Sequence, residues 1–131
     1  MAITLNGTTG ITTTALTSTG DVSDSLGLVR SLPVNSQTSA YIVAATDNGR
    51  TISITTGGVT INNSIMSSGM VVSIYNNSGS SQTITQGTSV TLQWAGQTSS
   101  STGNRTLGLY GLATIVFLSA SSAVITGSGL T

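Results

Sequence analysis

Among the side chains that carry charge, this chain has three arginines and three aspartates, and it has no lysine, glutamate or histidine in 131 residues. Glutamate and lysine are among the best helix formers and clothe the wet face of most helices, so their absence removes the usual material of an amphipathic helix. No stretch repeats apolar residues at i, i+3, i+4 and i+7 over several turns. Instead, 24 threonines and 22 serines mix with short runs of valine and isoleucine. Residues branched at Cβ suit a pleated surface, so the pattern predicts an all-β chain of many short strands.

Gly, Asn and Ser punctuate those runs and set candidate strands at residues 59–61, 70–76, 82–86, 90–95, 112–120 and 123–126. Residues 76–81 and 97–104 read as polar loops, Ser121-Ser122 as a tight connection, and Gly57-Gly58 as a turn rather than a phosphate cradle, since no lysine follows. The strongest local pattern is residues 41–46, then Asp47-Asn48-Gly49-Arg50, then residues 51–55. It predicts a β-hairpin with Asn48-Gly49 in a type I′ turn, Ala45 opposite Ile52, Val43 opposite Ile54, and Asp47 facing Arg50. Ile54 to Ile61 is echoed by Ile84 to Leu92 at about thirty residues' spacing, which reads as shared hairpin grammar, not as a solenoid repeat. Closely spaced strands of this kind predict a single antiparallel β-sandwich or barrel, jelly-roll-like.

Texture divides the chain in two. Residues 1–32 are threonine-rich and alternate poorly, which predicts an extended N-terminal arm, and the periodic strands start near Pro33, giving a β domain over 33–131. The length suits one domain. With no cysteine, neither a disulfide framework nor a thiolate metal site is available. No secretory signal is evident at residues 1–6, and the uncharged stretch 107–125 is interrupted by Gly108, Gly111, Thr114, Ser119, Ser121 and Ser122, which argues against a membrane helix.

The inventory also limits chemistry. A serine nucleophile needs a base, and none of the usual ones is present. Asp21, Asp24 and Asp47 are the only carboxylate side chains, and Asp21-Val22-Ser23-Asp24 lacks the spacing of a calcium loop. No enzyme, cofactor or metal is expected. A chain that is 5% charged with zero net charge has no field to attract nucleic acid or anionic lipid. Near-zero net charge favours association instead, so the natural partners are other proteins. Candidate contact residues are Ile3, Leu5 and Ile11 on the arm, with Trp94 and Tyr110 in the β domain. Trp94 is divided between core and interface, with a sugar platform as the lesser reading.

Several segments resemble β-rich virion proteins of tailed bacteriophages, particularly phages of cyanobacteria and marine bacteria. They are residues 34–41, the run Asn48-Gly49-Arg50-Thr51-Ile52-Ser53-Ile54-Thr55-Thr56-Gly57-Gly58-Val59-Thr60-Ile61, residues 74–87, and Gly103-Asn104-Arg105-Thr106-Leu107 on to residue 114, with residues 6–12 similar to a common lead-in. The resemblance implies a structural role in the virion, often as a homotrimer. The modules of that family commonly end a longer fibre or tail protein, whereas this chain starts at its own Met1. That difference favours a capsid decoration or cement protein packed on the major capsid protein and on sister chains. The alternative is a tail or head fibre module for host adhesion, using Trp94 and the 97–104 loop. A depolymerase with a site shared between chains is a third reading, supported by fold class alone.

Overall fold

A computed structural model describes residues 22–24, 27–28, 31–98 and 101–131. Most of the expected arm, with Ile3, Leu5 and Ile11, lies outside these residues. Strands β1 (Ser23–Asp24) and β2 (Gly27–Leu28) form a small antiparallel pair. The main sheet consists of β3 (Val34–Gln37), β4 (Tyr41–Ile42), β5 (Arg50–Ile54), β6 (Val59–Ile61), β7 (Val71–Asn76), β8 (Gln82–Gln86), β9 (Thr91–Trp94), β10 (Arg105–Ser119) and β11 (Ser122–Leu130). It curves into a nearly closed, barrel-like sheet in the order β3-β5-β7-β10-β8-β6-β4, with β11 and β9 added beside β10.

From β3 to β8, consecutive strands do not pair with each other. β3, β5 and β7 lie parallel in one stack, while β4, β6 and β8 lie parallel in another. Parallel neighbours require a crossover connection, and here a strand of the opposite stack serves as that crossover. The chain therefore winds three times before β10 closes the coil. One end of β10, Arg105 to Leu107, pairs antiparallel with β8, and a later part, Leu112 to Val116, pairs antiparallel with β7. A single long strand thus joins both stacks. β11 turns back along β10 and takes β9 as a parallel neighbour.

The chain is all-β as its composition requires, but the antiparallel, jelly-roll-like arrangement is replaced by a mixed sheet. The expected hairpin at residues 41–55 is absent. Tyr41 pairs with Val59, and Arg50–Ile54 runs between β3 and β7. The reason lies at the turn. Asn48 has φ −56° and ψ 126° and Gly49 has φ +72°, the corner of a type II turn rather than the two positive φ values of type I′. Both residues also bind the neighbouring winding: Asn48 Oδ1 accepts from Val71 N at 3.0 Å, and Gly49 N donates to Val71 O at 2.7 Å. A one-turn 3-10 helix, Ala45–Asp47, occupies the place of the expected strand end.

Packing inside follows the windings. Ile52 lies in register with Ile74, Val59 with Ile84, and Ile115 with both Val72 and Ile125, and all are buried. Each such side chain stabilises the fold by about 1.5–3 kcal/mol relative to exposure. Phe117 is the large aromatic of this core. The loop at Gly57-Gly58 is held by Gln82, whose Oε1 accepts from Gly58 N at 3.1 Å while its Nε2 donates to Thr55 O at 3.1 Å and Ser78 Oγ at 3.2 Å. The turn expected there is present, and its wall is a buried amide of the next winding.

Candidate functional site

The first polar cluster sits where the sheet fails to close, between edge strands β3 and β4. Asn35 and Gln37 share the inward parity of Ile52 and Ile54, so β3 offers amides where its neighbour offers aliphatics. Asn35 Nδ2 donates to Asp47 Oδ1 at 2.8 Å and to the Tyr41 hydroxyl at 3.0 Å, and Gln37 Nε2 donates to Asn35 Oδ1 at 2.6 Å. Tyr41 donates its hydroxyl to Asp47 Oδ2 at 2.8 Å, and Ala44 N donates to the same oxygen at 2.9 Å. Asp47 is 1% exposed. Its oxygens are occupied by these donors, so the cluster closes the seam and leaves no open position for a ligand.

Partial burial, and then the hydrogen bond it gives to Asp47, raises the Tyr41 hydroxyl above its usual pKa. A raised folded-state value means that the unfolded chain releases this proton first, so the stabilisation is complete below about pH 10 and is lost as pH climbs through the folded-state value. Tyr41→Phe lacks the titrating group. In thermal melts from pH 8 to 11, the native chain is expected to lead the variant at the low end, and the gap is expected to shrink as pH rises. A gap that widens would contradict the assigned role of Tyr41.

The second feature is the outside of the sheet over β7, β10 and β11. On β10, Ala113, Ile115 and Phe117 point inward, while Leu112, Val116 and Leu118 stand in solvent at 47%, 39% and 56% exposure. Beside them lie Tyr75, opposite Leu112, and Val71 and Val124, both opposite Val116. Ser73 and Thr114 share a side-chain hydrogen bond at 3.3 Å within the same face. None of these residues is charged. An uncharged face of this kind, apolar on either side of a central hydroxyl row, is a mark of an interaction surface.

Tyr110 extends the face at one end. Here β10 bends: between Leu107 and Leu112 it carries more residues than β11 does between Leu130 and Ser128. Tyr110 has φ +54° and is 63% exposed. A bulky residue with positive φ is rare and costs roughly 1–3 kcal/mol. The Tyr110 ring is held outward at that cost, next to exposed Leu109. Trp94 is placed elsewhere. It is partly buried against the core from β9, and the Arg105 guanidinium lies over its ring, 5.3 Å from the centroid.

No protein-family model, curated protein or solved structure matches the chain. The geometry therefore carries the functional reading. Of the five contact residues expected, Trp94 and Tyr110 fall among the described residues, and no described contact joins them. Leu112, Val116 and Leu118 were missed, although the run Leu112-Ala113-Thr114-Ile115-Val116-Phe117-Leu118, apolar apart from Thr114, contains the signal: a strand with one wet face should alternate. Arg105 was missed as well, because a lone arginine carries no pattern.

Proposed function

We propose that this chain is a structural protein of a tailed-phage virion, most consistent with a capsid decoration or cement protein that packs on capsid subunits and sister chains as a homotrimer. The observation that carries this reading is the uncharged apolar face over β7, β10 and β11, with Tyr110 held outward at its end. The phage assignment itself draws on the segments that resemble virion β modules.

Burying such a face supplies about 25 cal/mol for each Å² of apolar surface, less the cost of ordering two partners. A face without charge loses little to desolvation, and the absence of long-range repulsion between copies lets them approach. A mechanical clamp needs this and no reacting group. The adhesion alternative loses support because Arg105 covers the ring that would have stacked on a sugar.

The test is a double substitution, Val116→Asp with Leu118→Asp. Both side chains are exposed in the single chain, with Val116 facing Val71 and Val124 across the sheet, so at about 1 kcal/mol of strand preference per site the melting temperature of the monomer is expected to fall by no more than about 8 °C, with the fold kept. Self-association or binding to undecorated heads is expected to weaken at least 100-fold. Native binding by the double variant would reject this face as the contact.

A further inference from the structure

Arg105 has the inward parity of its strand. It lies directly opposite Ile84 in the β8 register and shares its parity with Leu107, and both of those neighbours are fully buried. The guanidinium carbon lies over the Trp94 ring, 5.3 Å from its centroid. Its Nε and Nη2 atoms are closed off from solvent, and among the described residues neither meets a hydrogen-bond acceptor. Asp47 is committed to the seam, where Asn35, Tyr41 and Ala44 fill its oxygens.

This is an expensive arrangement. A buried donor without a partner costs about 1–3 kcal/mol, more when the group is charged. Nε and Nη2 also form the edge of the guanidinium that matches the two oxygens of a carboxylate, giving two parallel charge-assisted hydrogen bonds. The Trp94 ring beneath it adds a cation–π attraction, for which indole is the best aromatic partner. A positioned fork with two unused donors is a half-site.

We propose that the Nε–Nη2 edge of Arg105, held against Trp94, is a receptor for a carboxylate. The residue is only partly buried as a whole, and receiving the group requires a side-chain rotation that brings the closed-off edge to solvent. The carboxylate can come from this chain or a sister copy, whose remaining acidic side chains are Asp21 and Asp24, or from an external acid. The site is separate from the apolar face of β10, and either can fail without the other.

Trp94 is the only tryptophan, so its fluorescence reports on this site alone. The probe is acetate, with acetamide as the uncharged control of the same shape and sodium chloride to match ionic strength. In the full chain, acetate is expected to change Trp94 emission saturably while acetamide does not. The acetate midpoint is expected to weaken at least tenfold in Arg105→Gln and less in Arg105→Lys. A wild-type measurement guards against a misfolded variant: the Arg105 Nε–H resonance should move downfield with acetate.

Two further arms identify the source. If Asp21 or Asp24 fills the site, Asp21→Asn with Asp24→Asn shifts Trp94 emission by itself and makes the site more sensitive to acetate, and a dilution-dependent shift in the native chain identifies a sister copy as the donor. If the double variant behaves like the native chain and both respond to acetate, the carboxylate is external. Equal responses to acetate and acetamide in the native and doubly substituted chains, with no movement of the Nε–H resonance, would overturn the proposal.

Discussion

Replacing Gly58 by alanine is expected to lower the melting temperature by about 10 °C or more, through a loss of roughly 2–5 kcal/mol. A Cβ at this position would lie 2.4 Å from Thr83 O, a backbone atom of the next winding, and Gly58 has φ +70°. Two penalties therefore combine. The left-handed conformation costs a non-glycine residue about 1–2 kcal/mol, and forcing an atom into a packed interior costs about 1–3 kcal/mol more. The neighbouring winding cannot simply step aside, because Gly58 O accepts from Tyr41 N at 3.1 Å while its own N–H is held by Gln82. Gly49→Ala separates the two effects: it has φ +72° but nothing within 4 Å of the added atom. Its expected loss is the conformational part alone, about 1–2 kcal/mol. Equal losses at the two positions would show that the windings are not packed as closely as described.

Asn76→Ala is expected to cost about 3 kcal/mol, and Asn76→Asp more, although aspartate has nearly the same shape. Asn76 is 0% exposed on β7. Its two Nδ2 hydrogens are shared among Leu107 O at 3.0 Å, Gly108 O at 2.8 Å and Ser80 O at 2.8 Å, and its Oδ1 accepts from Ser78 Oγ at 2.8 Å. Those carbonyls belong to the bend of β10 and to the β7–β8 loop, so one amide ties together the strand that joins the two stacks. Alanine removes the donor and leaves buried carbonyls without partners at about 1–3 kcal/mol each, less where solvent can reach them. Aspartate places acceptor oxygens against acceptor oxygens and buries a charge. Chemical denaturation of both variants checks the order; an aspartate variant as stable as the native chain would remove Asn76 from this role.

The strand content was legible because β-branched residues and turn residues are local signals. Gln82–Gln86 and Val59–Ile61 carry the expected bounds. Pairing was not legible, for a physical reason. Residues 41–55 hold the chemistry of a hairpin, but the energy of closing it competes with parallel pairing to strands about twenty residues away, which local pattern does not encode. Asn48-Gly49 takes a type II corner because its polar atoms are used by Val71. The winding left only a faint trace, since its steps are unequal: Tyr41 to Val59 to Ile84 spans 18 and then 25 residues. A repeat search needs a fixed period.

The contact surface was readable in part. Tyr110 was identified from its residue type, but its positive φ depends on the bend of β10, which Asn76 holds from another strand. Trp94 was identified for the same reason, and the cation that covers it comes from β10. Ile3, Leu5 and Ile11 lie outside the described residues.

Electron cryomicroscopy of phage particles that carry this chain addresses its role most directly. The expected map shows the barrel on the particle surface with Leu112, Val116 and Leu118 against a capsid subunit or sister chain, and with Tyr110 in that contact. Particles complete without the barrel, or a barrel whose β10 face points into solvent at every copy, would contradict the structural role proposed for it.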